Sequence, residues 1–288
     1  MTDKIYYGIN GLIDIQSFLL LKAGLKPVFR GYSPNGISRE IKSFYQNLGF
    51  HILEKKLAIS FATKAETGNY VYISRSKKMA RLAYESEINN DQKTHGEALG
   101  YPDCCVDFFS KNLPSGKDFN MLAHKNTLGK PSFYCHSLFN HESKLRDKNL
   151  SVYLQNREKF KSTTNLFLIK HIPCSLNCKK SVALGKITLE LLKKEVPSLA
   201  TTVVKALKTS VLYFDYFNWI AFKGKPTKGE LNYTDVLPYP SLISEHEINQ
   251  YKQGNRIKII NNQINIYQNR NLIAGLKKKN AGVIIDFS

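Results

Sequence analysis

The sequence predicts an α+β fold, with a small N-terminal mixed sheet and helices, a helical middle and a C-terminal β-rich portion. Two observations carry this. Helix-type and strand-type apolar patterns along the 288 residues fall into blocks instead of alternating, which argues against a doubly wound parallel sheet. The composition, 42% hydrophobic and 11% aromatic, suits a chain long enough to bury a core without disulfide staples. No repeat and no Gly/Ser or Pro tract marks a linker. A main α+β domain is expected over residues 1–240, and a C-terminal helix and β-hairpin extension over residues 241–288.

Taken in order, Ile13 to Ala23 is apolar enough for a largely buried helix, closed by Gly24. Ser38 offers an N-cap for a helix through Leu48, and Gly49 is its C-terminal stop. Phe50 to Leu53, Leu57 to Ala62 and Tyr70 to Ser74 carry the β-branched and aromatic residues of short strands. From Ser76, apolar residues Met79, Leu82, Ala83 and Ile88 keep helical spacing. A helix over Thr94 to Leu99 ends at Gly100, and Pro102 opens the next, placing Asp103, Cys104 and Cys105 in its first turn. The middle, Asp118 to Lys161, is polar and aromatic and holds Cys135, His124, His136 and His141. A strand-like Asn165 to Ile169 leads to a long helix from about Leu176 to Lys194, which Pro197 separates from a shorter one through Leu207. Strands follow at Val211 to Phe217 and Trp219 to Phe222, then a hairpin from Ile257 to Ile266 turning at Asn261-Asn262, and a closing edge strand at Val283 to Phe287.

The formal charge of +19 and pI near 9.6 raise RNA as a partner, because Lys and Arg that neutralise phosphates supply most non-specific affinity. Composition tempers this: only eight of the 42 basic residues are Arg, the side chain best suited to planar bidentate contact. An excess of Lys, Asn and Ile also follows from an AT-rich genome. No apolar run approaches the roughly 20 residues that span a bilayer. The start Met-Thr-Asp-Lys-Ile-Tyr-Tyr lacks the basic-then-apolar layout of a secretory signal. A cytoplasmic protein with no membrane partner is therefore expected, and an odd count of five cysteines fits a reducing compartment.

Four of those cysteines form two tight pairs, each with a histidine upstream: His95 before Cys104-Cys105, and His171 before Cys174 and Cys178. Clustered thiols beside imidazoles in a cytosolic chain point to a soft-metal centre, because thiolate selects zinc, copper(I) or iron–sulfur clusters. The expected ligand set is Cys104, Cys105, Cys174 and Cys178, with His95 and His171 as alternates or outer partners. Neither pair has the Cys-x2-Cys spacing of a zinc ribbon. Adjacent cysteines project about 100° apart on a helix, so an iron–sulfur cluster accepts them more easily than a single zinc ion. Cys174-x3-Cys178 is similar to the loop of radical S-adenosylmethionine enzymes but has Ser181 at the third cysteine, so that chemistry is not carried over. Cys135 reads as core, since free cysteine is often buried. A separate reading makes the thiols themselves the catalysts, as a redox dithiol or a nucleophile with a histidine base.

The elements Gly100-Tyr-Pro-Asp-Cys-Cys105 and His171-Ile-Pro-Cys174-Ser-Leu-Asn-Cys178, together with Tyr70-Val-Tyr-Ile-Ser74, resemble a prokaryotic family known as domain of unknown function 483, over most of residues 1 to 240. The resemblance implies that the two motifs form one site and transfers no activity. The expectation is a cytosolic metalloprotein with an enzymatic role and an unidentified small-molecule or macromolecular substrate. The alternative is a basic RNA-binding or RNA-modification protein with a structural metal.

Overall fold

A computed structural model describes residues 13–33, 36–58, 67–138, 166–216, 218–227, 229–237, 243–277 and 282–288. It divides into two compact units, Met1–Lys117 with Lys186–Ala200 and Asp118–Gly185 with Thr201–Ser288.

In the first unit, helix α1 (Ile15–Lys22) starts at Asp14, whose carboxylate accepts from Ser17 N, and nearly every side chain along it is buried. Strands β1 (Val28–Ser33), β2 (His51–Ala58) and β3 (Thr67–Ser74) form a sheet in the order β1-β3-β2. Both ladders are antiparallel, not mixed. Strand β2 merges the two short strands expected there up to Ala58, and the remainder of the second lies outside the described residues. Strand β1 has no counterpart in the sequence reading, because Arg30 and Gly31 interrupt its apolar pattern. Helix α2 (Arg39–Asn47) is capped by Ser38 as expected, and Gly49 follows it at φ 78°.

Three helices then carry the chain to the first cysteine pair. Helix α3 (Lys77–Ile88) is capped by Ser76, and α4 (Gln92–Ala98) by Asp91. Val28, Tyr70 and Tyr72 of the sheet pack with Ala80, Ala83, Ala98 and Leu99 of these helices. The small alanines let α3 lie close to the sheet. Gly100, at φ 77°, reverses the chain, and α5 (Asp103–Asn112) starts directly after Pro102. A side chain at Gly100 would also meet the Pro27 ring at 2.5 Å, so glycine is required there for both conformation and space.

The second unit opens with α6 (Phe119–Lys125), a helix that the sequence reading left unassigned. The polar middle section is described only to residue 138, so His141 lies outside the described residues. Residues 166–169 are not a strand. Their side chains are buried one after another, so the apolar run that suggested a strand reflects packing into the core and not strand pairing. Helices α7 (Lys179–Glu195) and α8 (Pro197–Leu207) follow, split at Pro197 as expected, with Lys186–Ala200 counted in the first unit.

The C-terminal sheet has seven strands in the order β10-β4-β5-β6-β7-β8-β9: β4 (Ser210–Asp215), β5 (Asn218–Thr227), β6 (Glu230–Leu237), β7 (Arg256–Ile260), β8 (Gln263–Gln268), β9 (Asn271–Lys277) and β10 (Val283–Asp286). All six ladders are antiparallel. The hairpin turn at Asn261 and Asn262 has φ of 47° and 60°, the positive values that a two-residue turn matching strand twist demands. Helix α9 (Glu245–Gln253) sends Tyr251 into the sheet core among Leu212, Phe222, Leu231, Ile257, Ile264 and Ile266. Strand β10 closes one edge by pairing with β4. The hairpin strands β7 and β8 lie in the same sheet as β4–β6, and α9 packs on its core through Tyr251.

The close contact of α4 with α5 sets where the first cysteine pair sits, because a Cβ on Gly96 would lie 2.8 Å from Val106 Cγ2. Gly96→Val is expected to lower stability by about 1–3 kcal/mol through overpacking. Adding Val106→Ala should recover part of that loss in urea unfolding.

Candidate metal centre

The first pair lies in the opening turn of α5. Pro102 provides the cap position without a side-chain bond, its carbonyl accepts from both Cys105 N and Val106 N at 2.9 Å, and Asp103 Oδ1 accepts from Cys104 N at 2.7 Å. The positive end of the helix dipole lies at this position and favours negative charge there. Cys104 is half-buried and Cys105 buried. Their sulfurs are 3.9 Å apart, so side-chain rotation overcomes the angular divergence expected of neighbours on a helix.

The second pair lies on an irregular loop running into α7. Four hydrogen bonds from the segment after α6 pin this loop. Asn126 Nδ2 donates to Cys174 O at 3.1 Å, Leu176 N donates to Thr127 Oγ1 at 2.8 Å, Asn177 Nδ2 donates to Leu128 O at 2.6 Å, and Ser132 N donates to Leu176 O at 2.7 Å. A turn from Ser175 O to Cys178 N, and the bond from Val182 N to Cys178 O, deliver Cys178 to the start of α7. Cys174 is half-buried and Cys178 buried. Asn126, Thr127 and Ser132 were not singled out from the sequence. The available signal was an Asn-Thr pair at the C-terminal end of α6, next to Gly129 at φ 83°.

Cys104, Cys105, Cys174 and Cys178 make one group whose sulfur atoms all lie within 4.8 Å of one another, and four cysteines so placed could hold a metal ion. Neither expected histidine is part of this group. His95 Nδ1 is 2.9 Å from Ala83 O and its Nε2 is 3.8 Å from Glu87 Oε2. A carbonyl only accepts, so Nδ1 carries the proton. Burial lowers the His95 pKa, and the Glu87 charge opposes that only in part. His171 Nε2 is 2.8 Å from Ser181 Oγ, both groups being buried. Cys135 is fully buried with its Sγ 4.0 Å from Cys178 O, and burial pushes its thiol pKa far up. It is a core thiol, as its sequence context suggested.

Residues 69–200 match a family described as protein of unknown function, DUF483. The match is narrower than the resemblance drawn from the sequence, yet it encloses both cysteine pairs and both histidines. No curated protein and no solved structure matches the chain.

Glu87 anchors the helices that lead to the first pair. Its carboxylate accepts from the Arg30 guanidinium through both oxygens and from the Tyr72 hydroxyl. Burial acts to raise its pKa, but the Arg30 and Tyr72 bonds and the Arg30 charge outweigh it and hold the carboxyl below its ordinary value. The unfolded chain therefore takes this proton first as pH falls. The stabilisation is complete above the unfolded value of about 4.3 and is lost as pH drops through the folded one. Glu87→Gln should cost about 1.5–3 kcal/mol at neutral pH, and the gap from the parent should narrow in urea unfolding below pH ~4. Thr127→Val removes the acceptor of Leu176 N. It should cost about 1–3 kcal/mol in urea unfolding, because the buried Leu176 N–H loses its acceptor.

Proposed function

We propose that Cys104, Cys105, Cys174 and Cys178 bind one metal ion in a closed tetrahedral shell, with zinc as the metal. The observation that supports this is the mutual spacing of the four sulfurs, all within 4.8 Å. A tetrahedral ion with metal–sulfur bonds of about 2.3 Å sets its sulfurs about 3.8 Å apart. The Cys104–Cys105 separation of 3.9 Å fits that edge, and small rotations of the half-buried Cys104 and Cys174 would complete it. An iron–sulfur cluster spreads its irons toward separate cysteines and so needs the sulfurs farther apart. The donors are soft thiolates, the pattern of a structural zinc site.

Four protein ligands leave no open position for water or substrate. The centre therefore acts by holding the start of α5 and the loop before α7 together, two segments far apart in sequence. Closing so long a loop restricts the unfolded chain, and thiolate ligation adds binding energy directly to folding. His171, fixed by Ser181 at the mouth of the loop, and His95, fixed by Ala83 and Glu87 ahead of α5, serve as outer residues that orient the two motifs.

Metal analysis of the chain purified without added metal tests the reading. One zinc per chain is expected, lost in Cys174→Ser, and cobalt(II) exchange should give the intense visible bands of a tetrahedral thiolate site. Brown protein with equal iron and inorganic sulfide would replace the zinc reading with a cluster. Metal-free protein with five titratable thiols would remove the metal reading and leave thiol chemistry.

A further inference from the structure

The C-terminal sheet is buried unevenly. Strand β4 is buried along almost its whole length, whereas β7 buries only Ile257, β8 only Ile264 and Ile266, and β9 is half-buried at best. Their register separates two faces. Leu231, Ile257, Ile266 and Ala274 form one cross-strand row, and Ile259, Ile264 and Leu276 another, all packed into the core that α9 covers. The rows between them point the other way. One runs Asn232, Arg256, Tyr267, Leu272, the next Glu230, Lys258, Asn265, Gly275, and the third Ile260, Gln263, Lys277.

This outward face has a specific chemistry. Arg256, Lys258 and Lys277 supply the charge, and between residues 254 and 285 the sequence contains no Asp or Glu. The one carboxylate in these rows, Glu230, is engaged by Lys258 at 2.8 Å and Arg256 at 4.0 Å. The Arg256 guanidinium lies over the Tyr267 ring, 4.6 Å from its centroid, so the two form a stacked cation–π pair. Next to it stand the amides of Asn232, Gln263 and Asn265. Gly275 keeps that patch open, because a Cβ there would meet Gln263 Nε2 at 2.5 Å.

We propose that this face binds single-stranded nucleic acid. Bases stack on aromatic and guanidinium planes without regard to sequence, lysines track the phosphates, and side-chain amides reach base edges. A duplex would need a helix or ribbon projecting into a groove, and the three strands present none. Membrane binding would need a broad apolar surface beside the charge, whereas amides and charges fill the central rows. The inference is independent of the metal reading.

Fluorescence anisotropy of the full chain with labelled single strands of about 12 nucleotides, both RNA and DNA, tests it across about 50 to 200 mM salt. Binding that weakens with salt is expected for either strand. Lys258→Glu with Lys277→Glu should weaken it at least about tenfold and lower the log–log salt slope by about 1.4. Lys77→Glu with Lys78→Glu, the same charge change on exposed positions of α3, should shift affinity by less than about threefold. Melting curves of both variants establish that they fold, and Tyr267→Ala, which keeps the charge, should weaken binding by itself. The proposal is overturned by equal losses in the two charge-reversal pairs, by equal affinity for a duplex, by no binding at the lowest salt, or by binding to phosphatidylserine vesicles with none to either strand.

Discussion

Four sulfur atoms within 4.8 Å of one another are the physical constraint on which the proposed function depends. Ionised together, they would repel strongly in a partly buried setting, where screening is weak. The helix dipole at the start of α5 supplies only about half a positive charge, too little to offset four thiolates. Such a group must keep its protons or share a cation, and a divalent ion converts the same crowding into attraction. Each motif is held by its own local contacts.

For the first motif, the fixing elements are steric. Gly96 lets α4 press against Val106 of α5, and Gly100 reverses the chain against Pro27. Behind them, Glu87 joins Arg30 of β1 and Tyr72 of β3 to α3, and lies near His95 of α4. A histidine that resembled a ligand in the sequence is in the structure one strut of this network.

For the second motif, the fixing elements are hydrogen bonds that lead back to the large sheet. The Tyr213 hydroxyl on β4 donates to both oxygens of Asp118, at 2.9 and 2.7 Å. Asp118 caps α6 through Met121 N, and the far end of α6 presents Asn126 and Thr127 to the cysteine loop. Burial raises the Asp118 pKa, although its bonds from Met121 and Tyr213 oppose the shift. The same sheet that anchors this chain of contacts leaves the outer side of β7–β9 to solvent, so one element supports the loop and offers a charged surface.

Local chemistry made much of this legible in advance. The cap at Ser38, stops at Gly49 and Gly100, the break at Pro197 and the Asn261-Asn262 turn were readable because each acts within a few residues of itself. The four cysteines stood out for the same reason, being paired along the chain. Strands β1, β6 and β9 were not readable, since Arg30 and Gly31, Thr234 and Asp235, and the adjacent Leu272 and Ile273 break the apolar alternation and the pairing comes from distant partners. Sequence alone therefore determined which atoms can bind a soft metal and where the helices start and stop. Only the tertiary structure decided that the two pairs meet, that the histidines face other partners, and that an Asn-Thr step after α6 holds the loop, because those outcomes depend on packing between segments whose separation along the chain carries no local signal.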